Sequence, residues 1–352
     1  MDREGKAHFG VYRINRLALI ILALVLVAAA TYFYNPLSKV SSVVDRYQRS
    51  KVQPGVVLEG RDLSGKNAEE LRLVVNDLAS KLKIEAPQDA AKDPKNIGGV
   101  IPEVNGAVVD VEATVKHILN LKAGEKASFQ FSETPAKTKL SDFPNKPVYR
   151  GNPAKNGVSF AINVASGTPS VKEVLEILRA NNVRATFFVM GEWAEKNPQL
   201  LTDIYNQGHE VAVHGYSERL IPAKASKEDL TRDIDKALQV IEGTIKGQVK
   251  YYSPHELAIN DKVTEVAAQV GLRTVMYTVD TVDWKEPKPA DMVAKIVKNA
   301  GNGSIILMHP RPNTAKALND MIAGLEQKGL KIVTVSELLS PSRYPRATTV
   351  SR

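Results

Sequence analysis

The chain has 352 residues, a formal net charge of +8 and no cysteine. Its length suits about two domains of about 150 residues each. The lack of cysteine excludes disulfides, cysteine-ligated zinc and thiol nucleophiles. The cations are dispersed, without the basic helix face or zinc-finger spacing that nucleic-acid binding requires. No nucleic-acid partner is expected, and the charge suits a surface beside anionic lipid and wall polymers.

The N-terminal sequence predicts a membrane anchor. Residues 17–34 form an uncharged, mainly apolar stretch, near the lower limit for crossing a bilayer core of about 30 Å. The basic tail 1–16 precedes it and is kept in the cytoplasm by the positive-inside rule. A cleaved signal peptide is the alternative, because Ala28-Ala29-Ala30 offers small residues. We therefore expect a single-pass protein of the cell membrane, with a polar stalk at 35–56 and its bulk outside the cytoplasm.

Residues 57–143 predict a small α+β module. Apolar residues recur at helical spacing from Glu69 to Leu82, which indicates a helix with one inward face. The stretch 98–131 resembles peptidoglycan-binding-like modules, and its His117 is interpreted as an ordinary exposed helical histidine. Prolines, glycines and charged residues cluster over 144–156 and predict a linker.

From residue 157 to 340, apolar strands alternate with amphipathic helices, and residues 341–352 predict a disordered tail. Seven βα units indicate a parallel α/β sheet, open or closed as a barrel. In such folds the chemistry collects where the strands end. The predicted strands are Val158–Val164, Ala185–Met190, Glu210–Val213, Val249–Tyr252, Arg273–Val279, Ser304–Met308 and Lys331–Val335.

Histidines and aspartates follow several of these strand ends. If the strands are parallel, their side chains converge on one rim. His209 begins a strand instead, and we expect it to be structural, on the opposite rim. The side chains at the strand ends are those of Asn163, His214, Tyr252, His255, Asp280, Asp283, Trp284 and His309.

Five sequence blocks of this second domain carry a family resemblance. They are VRATFFVMGEWAEKNPQLL, QGHEVAVHGYSE, TVDTVDWKEP, GSIILMHPRPNTAKAL and KGLKIVTVSELL. In this order they resemble the polysaccharide deacetylase family, also called the NodB homology domain or carbohydrate esterase family 4, and most of all its sporulation-associated branch. The resemblance implies a distorted (β/α)₇ barrel. In active members, it also implies removal of acetyl groups from N-acetylated sugars with a divalent metal.

Two positions depart from the family pattern at the end of the first strand. Asn163 and Val164 align with an Asp-Asp pair of the family, which the resemblance assigns as general base and metal ligand. An amide does not take a proton from water near neutral pH, and valine has no donor atom. Tyr252 stands at the arginine of another family motif, and it is placed in the substrate groove with Asn163 and His255.

The metal motif is half retained. His214 is present, but Glu218 stands where the second histidine belongs. A carboxylate can ligate zinc, and the third ligand is open between His255 and Asp283; Glu218 reads equally well as a solvated loop residue. The cofactor is accordingly a divalent metal, with zinc favoured, if the chain is active, and none if it is not.

Two further motifs match the family. Asp280 and Trp284 match an aspartate–tryptophan element that lines the sugar groove, and His309 matches the histidine that protonates the leaving amine. Histidine suits that role because its pKa lies near the working pH, and a carboxylate partner tunes it. Asp280 is the expected partner of His309, which makes these two the candidate catalytic residues.

Three functions remain open on the sequence. The first is a membrane-anchored deacetylase that hydrolyses the N-acetyl amide bonds of cell-wall glycan such as peptidoglycan. The second is a catalytically inactive pseudoenzyme that binds the same glycan. The third is a structural scaffold for other envelope proteins.

Overall fold

The computed structural model describes residues 24–25, 51–82, 85–165 and 168–343. Apart from Leu24 and Val25, the predicted anchor lies outside the described residues, as do the basic tail and most of the C-terminal tail. Within the described ranges, no helix is both long and apolar enough to cross a membrane.

The chain divides into two compact units. The described part of the smaller unit is formed by residues 51–82 and 109–131, and that of the larger by 85–108 and 132–343. This division differs from the predicted boundaries: 85–108 and 132–156, assigned from sequence to the module and the linker, cluster with the larger unit.

The smaller unit packs two helices and a hairpin. Strands β1 (Val57–Leu58) and β2 (Arg61–Asp62) pair antiparallel. Helix α1 (Ala68–Ser80) begins with a capping box, in which the Asn67 side chain and Glu70 bind each other's backbone N–H groups. The helix predicted over 69–82 is thus confirmed, and its buried face packs against α2 (Val111–Leu119) in one hydrophobic core.

The larger unit is built on a parallel sheet. In spatial order, its strands are β11 (Arg273–Thr274), β10 (Tyr251–Tyr252), β9 (Glu210–Val213), β8 (Thr186–Val189), β7 (Gly157–Val164), β13 (Ile305–Met308) and β12 (Val279–Asp280), and β14 (Lys331–Ile332) also pairs with β7. Every pairing in this sheet is parallel. The described residues also form the short strands β3 (Ala91–Lys92), β4 (Val100–Ile101), β5 (Gly106–Val109) and β6 (Phe131–Thr134).

Amphipathic helices connect these strands and cover the outer face of the sheet. They supply the apolar side chains that pack on the sheet in the largest hydrophobic core of the described residues. They are α3 (Thr168–Ala180), α4 (Gly191–Lys196), α5 (Pro198–Asn206), α6 (Lys227–Ile245), α7 (Asp261–Gln269), α8 (Pro289–Asn299) and α9 (Pro312–Gln327). Helix α10 (Val335–Leu339) packs on the opposite face of the sheet.

The sheet curls because the strands at its two opposite ends are consecutive in the chain, so the two ends must lie close together. The stretch predicted as one strand, Arg273–Val279, splits into β11 and β12, which lie at opposite ends of the sheet. Val148 pairs with the chain on the β11 side of this seam: its N–H donates to the carbonyl of Thr274 at 3.0 Å, and its carbonyl accepts from Met276 N–H at 2.8 Å. A segment predicted as linker therefore extends the curled half-barrel at this edge. The parallel α/β fold is confirmed.

Alternate residues of each strand face opposite sides of the sheet. Ala161, Phe188 and Ala212 belong to an inner cluster closed by α10. Val164 and Tyr252 belong instead to the cluster shared with helices α3 to α9. This division decides which residues at the strand ends can reach the groove.

Candidate functional site

His309 and Asp283 lie together at the rim formed by the carboxyl ends of the strands. His309 follows β13, and Asp283 begins a short 3₁₀ helix, Asp283–Lys285, after β12. The carboxylate accepts the Nδ1–H of His309 at 2.8 Å and its backbone N–H at 2.6 Å. The hydroxyl of Thr314 donates to the same carboxylate at 2.9 Å. The Asp283 side chain is fully buried, whereas that of His309 is 31% exposed.

These contacts fix the charge of Asp283 and the tautomer of His309. Burial raises the pKa of Asp283, but the hydrogen bond and charge of His309, with the Thr314 hydroxyl, outweigh it and leave the pKa below its usual value. The ionised carboxylate accepts the proton on Nδ1, so Nε2 is the His309 atom that faces outward for chemistry.

Asp280, the expected partner of His309, is not its partner, and that prediction is wrong. Its Oδ1 accepts the backbone N–H of Val282 at 2.8 Å, as an aspartate at the start of a turn commonly does. The sequence signal for the true partner is the aspartate directly before the tryptophan in VDWKE.

The turn that carries Trp284 has an unusual backbone. Val282 and Glu286 flank the 3₁₀ helix with φ of 59° and 52°, a left-handed region that is unfavourable for a β-branched residue such as valine. Such conformations concentrate at functional sites. Trp284 is 52% exposed there. Its ring offers a flat apolar face with a polar edge, the kind of surface on which a sugar ring can stack.

His214, at the end of β9, is buried and neutral. Its Nδ1 lies 2.8 Å from the carbonyl of Ser253, which can only accept, so Nδ1 carries the proton. Burial lowers the pKa of His214 to about 3. Its Nε2 has no hydrogen-bond partner among the described residues, and the ring of His255 lies 6.0 Å away, nearly perpendicular to it.

The described residues do not make up a metal centre. Glu218, the expected second ligand, is exposed, and its carboxylate makes no hydrogen bond within the described ranges. Both oxygens of Asp283 are occupied by His309 and Thr314. No group of three or more histidine, aspartate or glutamate side chains that could hold a metal exists among the described residues. His214 Nε2 alone fits a ligand.

Asn163 faces the groove as predicted, but Val164 and Tyr252 do not. Asn163 is 5% exposed, and its buried Oδ1 has no hydrogen-bond partner among the described residues. Val164 packs on the helix side of the sheet. Tyr252, predicted to line the groove, is also on the helix side, because it pairs with Val213 and shares its direction. Its buried hydroxyl has no hydrogen-bond partner within the described ranges, and burial raises the pKa of Tyr252.

Comparison with known proteins identifies the family. Residues 151–275 match the family model described as polysaccharide deacetylase. The uncharacterized protein YlxY of Bacillus subtilis is 34% identical over 257 residues, which are 73% of this chain and 80% of YlxY. The chain belongs to the polysaccharide deacetylase family. A peptidoglycan-N-acetylglucosamine deacetylase of Bacillus cereus is 34% identical over 173 residues, or 47% of this chain and 80% of the relative.

Solved structures of the polysaccharide deacetylase family include an inactive relative. BA3943 of Bacillus anthracis, a CE4 family pseudoenzyme, matches with a TM-score of 0.70 and 32% identity, covering 78% of this chain and 96% of that chain. A mutant of BA3943 described as having restored enzymatic activity matches with the same TM-score at 31% identity, covering 78% of this chain and 99% of the mutant.

Proposed function

We propose that this chain binds N-acetylated cell-wall glycan, such as peptidoglycan, in the groove at the strand ends without hydrolysing it. The observation that carries the proposal is Asn163. It lies at the end of β7, where the family resemblance places the general base, and its buried amide oxygen has no hydrogen-bond partner in the described part of the chain. An amide cannot relay a proton at neutral pH, but it can accept a hydrogen bond from a sugar hydroxyl or acetamido N–H.

The remaining groove residues support glycan binding. Trp284 is the only exposed tryptophan among the described residues. Stacking of an apolar sugar face on its ring would contribute to the affinity for glycan. Nε2 of His309 adds a polar group held at a fixed position by Asp283. Similarity to the pseudoenzyme BA3943 over 78% of this chain also favours this function.

A deacetylase is the second candidate, because the acid side of the groove is intact. The buried carboxylate of Asp283 holds His309 with Nε2 outward, as protonation of a leaving amine requires. The missing base would then have to come from elsewhere, and the exposed Glu218 is the candidate. The family resemblance implies a divalent metal, with zinc favoured, but the described residues do not fit one, and we derive no step through it.

The same proposal includes the location of the protein. The uncharged stretch 17–34 and the basic residues before it support a membrane anchor with a cytoplasmic N-terminus and an extracytoplasmic glycan-binding unit. Protease added to intact protoplasts is expected to digest the larger unit. Full protection of the chain would contradict this location.

Binding and hydrolysis are tested together on the full chain. We expect it to bind chitooligosaccharides and N-acetylated peptidoglycan fragments and to release no acetate, with or without added zinc or cobalt. Trp284→Ala is expected to weaken binding about tenfold or more. Tyr205→Ala, which removes another exposed aromatic residue, is the matched control and should leave binding unchanged.

The two candidate functions predict different results for His309→Ala. Acetate release by the wild type that disappears in this variant would overturn the pseudoenzyme in favour of the deacetylase. A wild type that neither binds glycan nor releases acetate, while remaining folded, would overturn both.

A further inference from the structure

A second concave site lies beside the loop that follows β9. It is a cleft of about 770 Å³ between this loop and helices α4 and α6. Leu220, Ile221 and Ala225 give it an apolar portion, and Tyr216 forms part of its wall. Its size is within the range of small-molecule and peptide sites. Nothing in the proposed glycan groove uses it.

The wall of this cleft is held in place by several contacts of Tyr216. The Tyr216 hydroxyl donates to Glu195 at 2.9 Å, and its backbone N–H donates to Asp233 at 2.8 Å. The ammonium group of Lys236 lies 3.7 Å from the centre of the tyrosine ring. Gly191, at the start of α4, lies against the same ring, where an added Cβ would approach it to 2.4 Å. The cleft is therefore preformed.

The charges of the cleft favour an anionic ligand. Arg219 and Lys224 line it, and neither side chain has a hydrogen-bond or ion-pair partner among the described residues. Two of the three lining carboxylates are already engaged. Asp229 pairs with Arg232, and Asp233 accepts the Tyr216 N–H.

Glu192 is the remaining carboxylate of the cleft. Its side chain has no hydrogen-bond partner within the described ranges, and it can accept an ammonium group. The available groups thus match a ligand with more carboxylates than amines and with small apolar side chains, which is the composition of an acidic peptide.

The cleft and the glycan groove are both lined by residues of the short loop that follows β9. His214 faces the groove at the end of β9, and Tyr216 and Ser217 line the cleft two and three residues later. Glu218 follows, and Arg219 lines the cleft again. A polymer that occupies the groove and carries a side branch can therefore reach the cleft across this loop.

We infer that the cleft binds the acidic peptide that branches from the sugar strand of peptidoglycan. The inference rests on the proposed function and narrows its ligand class from N-acetylated glycan to peptide-bearing glycan. Arg219 and Lys224 would hold the peptide carboxylates, Glu192 would hold its free amine, and the apolar portion would take its alanine methyl groups. Linking two contacts on one polymer raises the affinity for that polymer above that for either part.

Three probes test the inference on the full chain: disaccharide–peptide fragments of peptidoglycan, the same fragments after an amidase has removed the peptide, and the released peptide. We expect the first to bind at least about tenfold more tightly than the second, and this advantage to shrink between low and high salt. Arg219→Gln with Lys224→Gln should abolish the advantage.

The control replaces two cations away from the cleft, Arg179→Gln with Lys298→Gln. Both are exposed and lie on other helices, so this variant loses the same charge and should keep the advantage. Because all four side chains are on the surface, we expect both variants to fold, as far-ultraviolet circular dichroism would check.

The outcomes separate this inference from the proposed function. Equal binding of the first two probes would overturn the inference and leave glycan binding intact. Binding of the released peptide, lost on Arg219→Gln with Lys224→Gln, together with no binding of the stripped glycan, would support the inference and overturn glycan binding in the groove. A peptide advantage that remains in the Arg219→Gln and Lys224→Gln variant would overturn the inference. Displacement of the disaccharide–peptide fragments by a wall phosphate polymer, without any peptide advantage, would also overturn it.

Discussion

Arg150 holds Asp93 through two hydrogen bonds, with Nη2–Oδ1 at 2.6 Å and Nε–Oδ2 at 3.2 Å. The Asp93 side chain is fully buried and that of Arg150 is 12% exposed. Burial raises the pKa of Asp93, but hydrogen bonds from Asn96 and Lys95 N–H and the Arg150 guanidinium outweigh it, so the pKa lies below its usual value. The pair fastens the β3–β4 hairpin to the segment that extends the sheet.

Arg150→Met is therefore expected to destabilise the larger unit by about 3 kcal/mol or more, because it leaves a buried carboxylate without its cation. Urea unfolding at pH 7 measures this. Lys227→Met breaks a pair with Glu265 that is about half exposed, and we expect it to cost less than about 1 kcal/mol. Similar losses in the two variants would contradict a structural role for the buried pair.

The contact of Asp283 with His309 and Thr314 predicts a second stability difference. Asp283→Asn replaces a buried carboxylate acceptor by an amide whose NH₂ group faces a donor, and we expect a loss of about 2 to 3 kcal/mol. Asp280→Asn keeps an oxygen for the Val282 N–H and should cost less than about 1 kcal/mol. Urea unfolding of both variants is the measurement, and a larger loss for Asp280→Asn would refute the assignment of Asp283 as the partner of His309.

His209 makes the larger unit sensitive to acid. Burial, and then the charge of Arg184, lower its pKa to about 4, and its Nδ1 accepts the Ala185 N–H at 3.2 Å. Since the folded pKa lies below the unfolded value of about 6.5, the unfolded state binds more protons between pH 6.5 and 4. The free energy of unfolding therefore falls as the pH falls through this window, by at most about 3 kcal/mol at about 1.4 kcal/mol per pKa unit.

His209→Asn supplies an oxygen for the same backbone N–H and does not titrate. We expect this variant to lose about half of the pH dependence of the free energy of unfolding when urea unfolding is measured from pH 4 to 7, because buried His214, with a pKa of about 3, contributes in the same direction. The control is His117→Asn in the smaller unit, which should keep the wild-type slope of the larger unit. An unchanged slope in His209→Asn would show that other groups cause the acid sensitivity.

Restoring the family's aspartate pair is expected to lower the free energy of unfolding by different amounts at the two positions. Asn163→Asp changes a side chain on the groove side and should cost about 1 to 2 kcal/mol. Val164→Asp places a carboxylate among the apolar side chains between the sheet and the helices, and we expect it to cost about 3 kcal/mol or more. Val164→Thr tests how much of that loss comes from charge. Equal stabilities of Asn163→Asp and Val164→Asp would contradict the helix-facing position of Val164.

Periodicity was sufficient to predict the parallel sheet and the rim. Strand β9 matches its predicted range, strand β7 begins one residue before its predicted start, and His214 and His309 follow strand ends as expected. The phase of a strand is harder to predict when it is short. Strand β10 has two residues, so no alternation in the sequence reveals that Tyr252 faces the helices.

Two further features have no periodic signal. Val148 joins the β11 side of the seam through isolated backbone hydrogen bonds, while the prolines and glycines around it are typical of a linker. The turn that places Asp283 beside His309 includes Val282 in a left-handed conformation. The sequence does not predict this conformation, because valine rarely adopts it. Both errors arise where tertiary contacts, and not local propensity, fix the backbone.

The pairing of β7 has a consequence for how the protein folds. Its neighbour β8 follows almost at once, but Ser159 pairs with Ile305 and Gly157 with Lys331, residues separated by about half the chain. Pairings of such long sequence separation form slowly, because the intervening chain must be ordered first. The central strand therefore stays open along one edge until the C-terminal part has been made, and a chain cut short before Ile305 would expose a buried strand edge that invites aggregation.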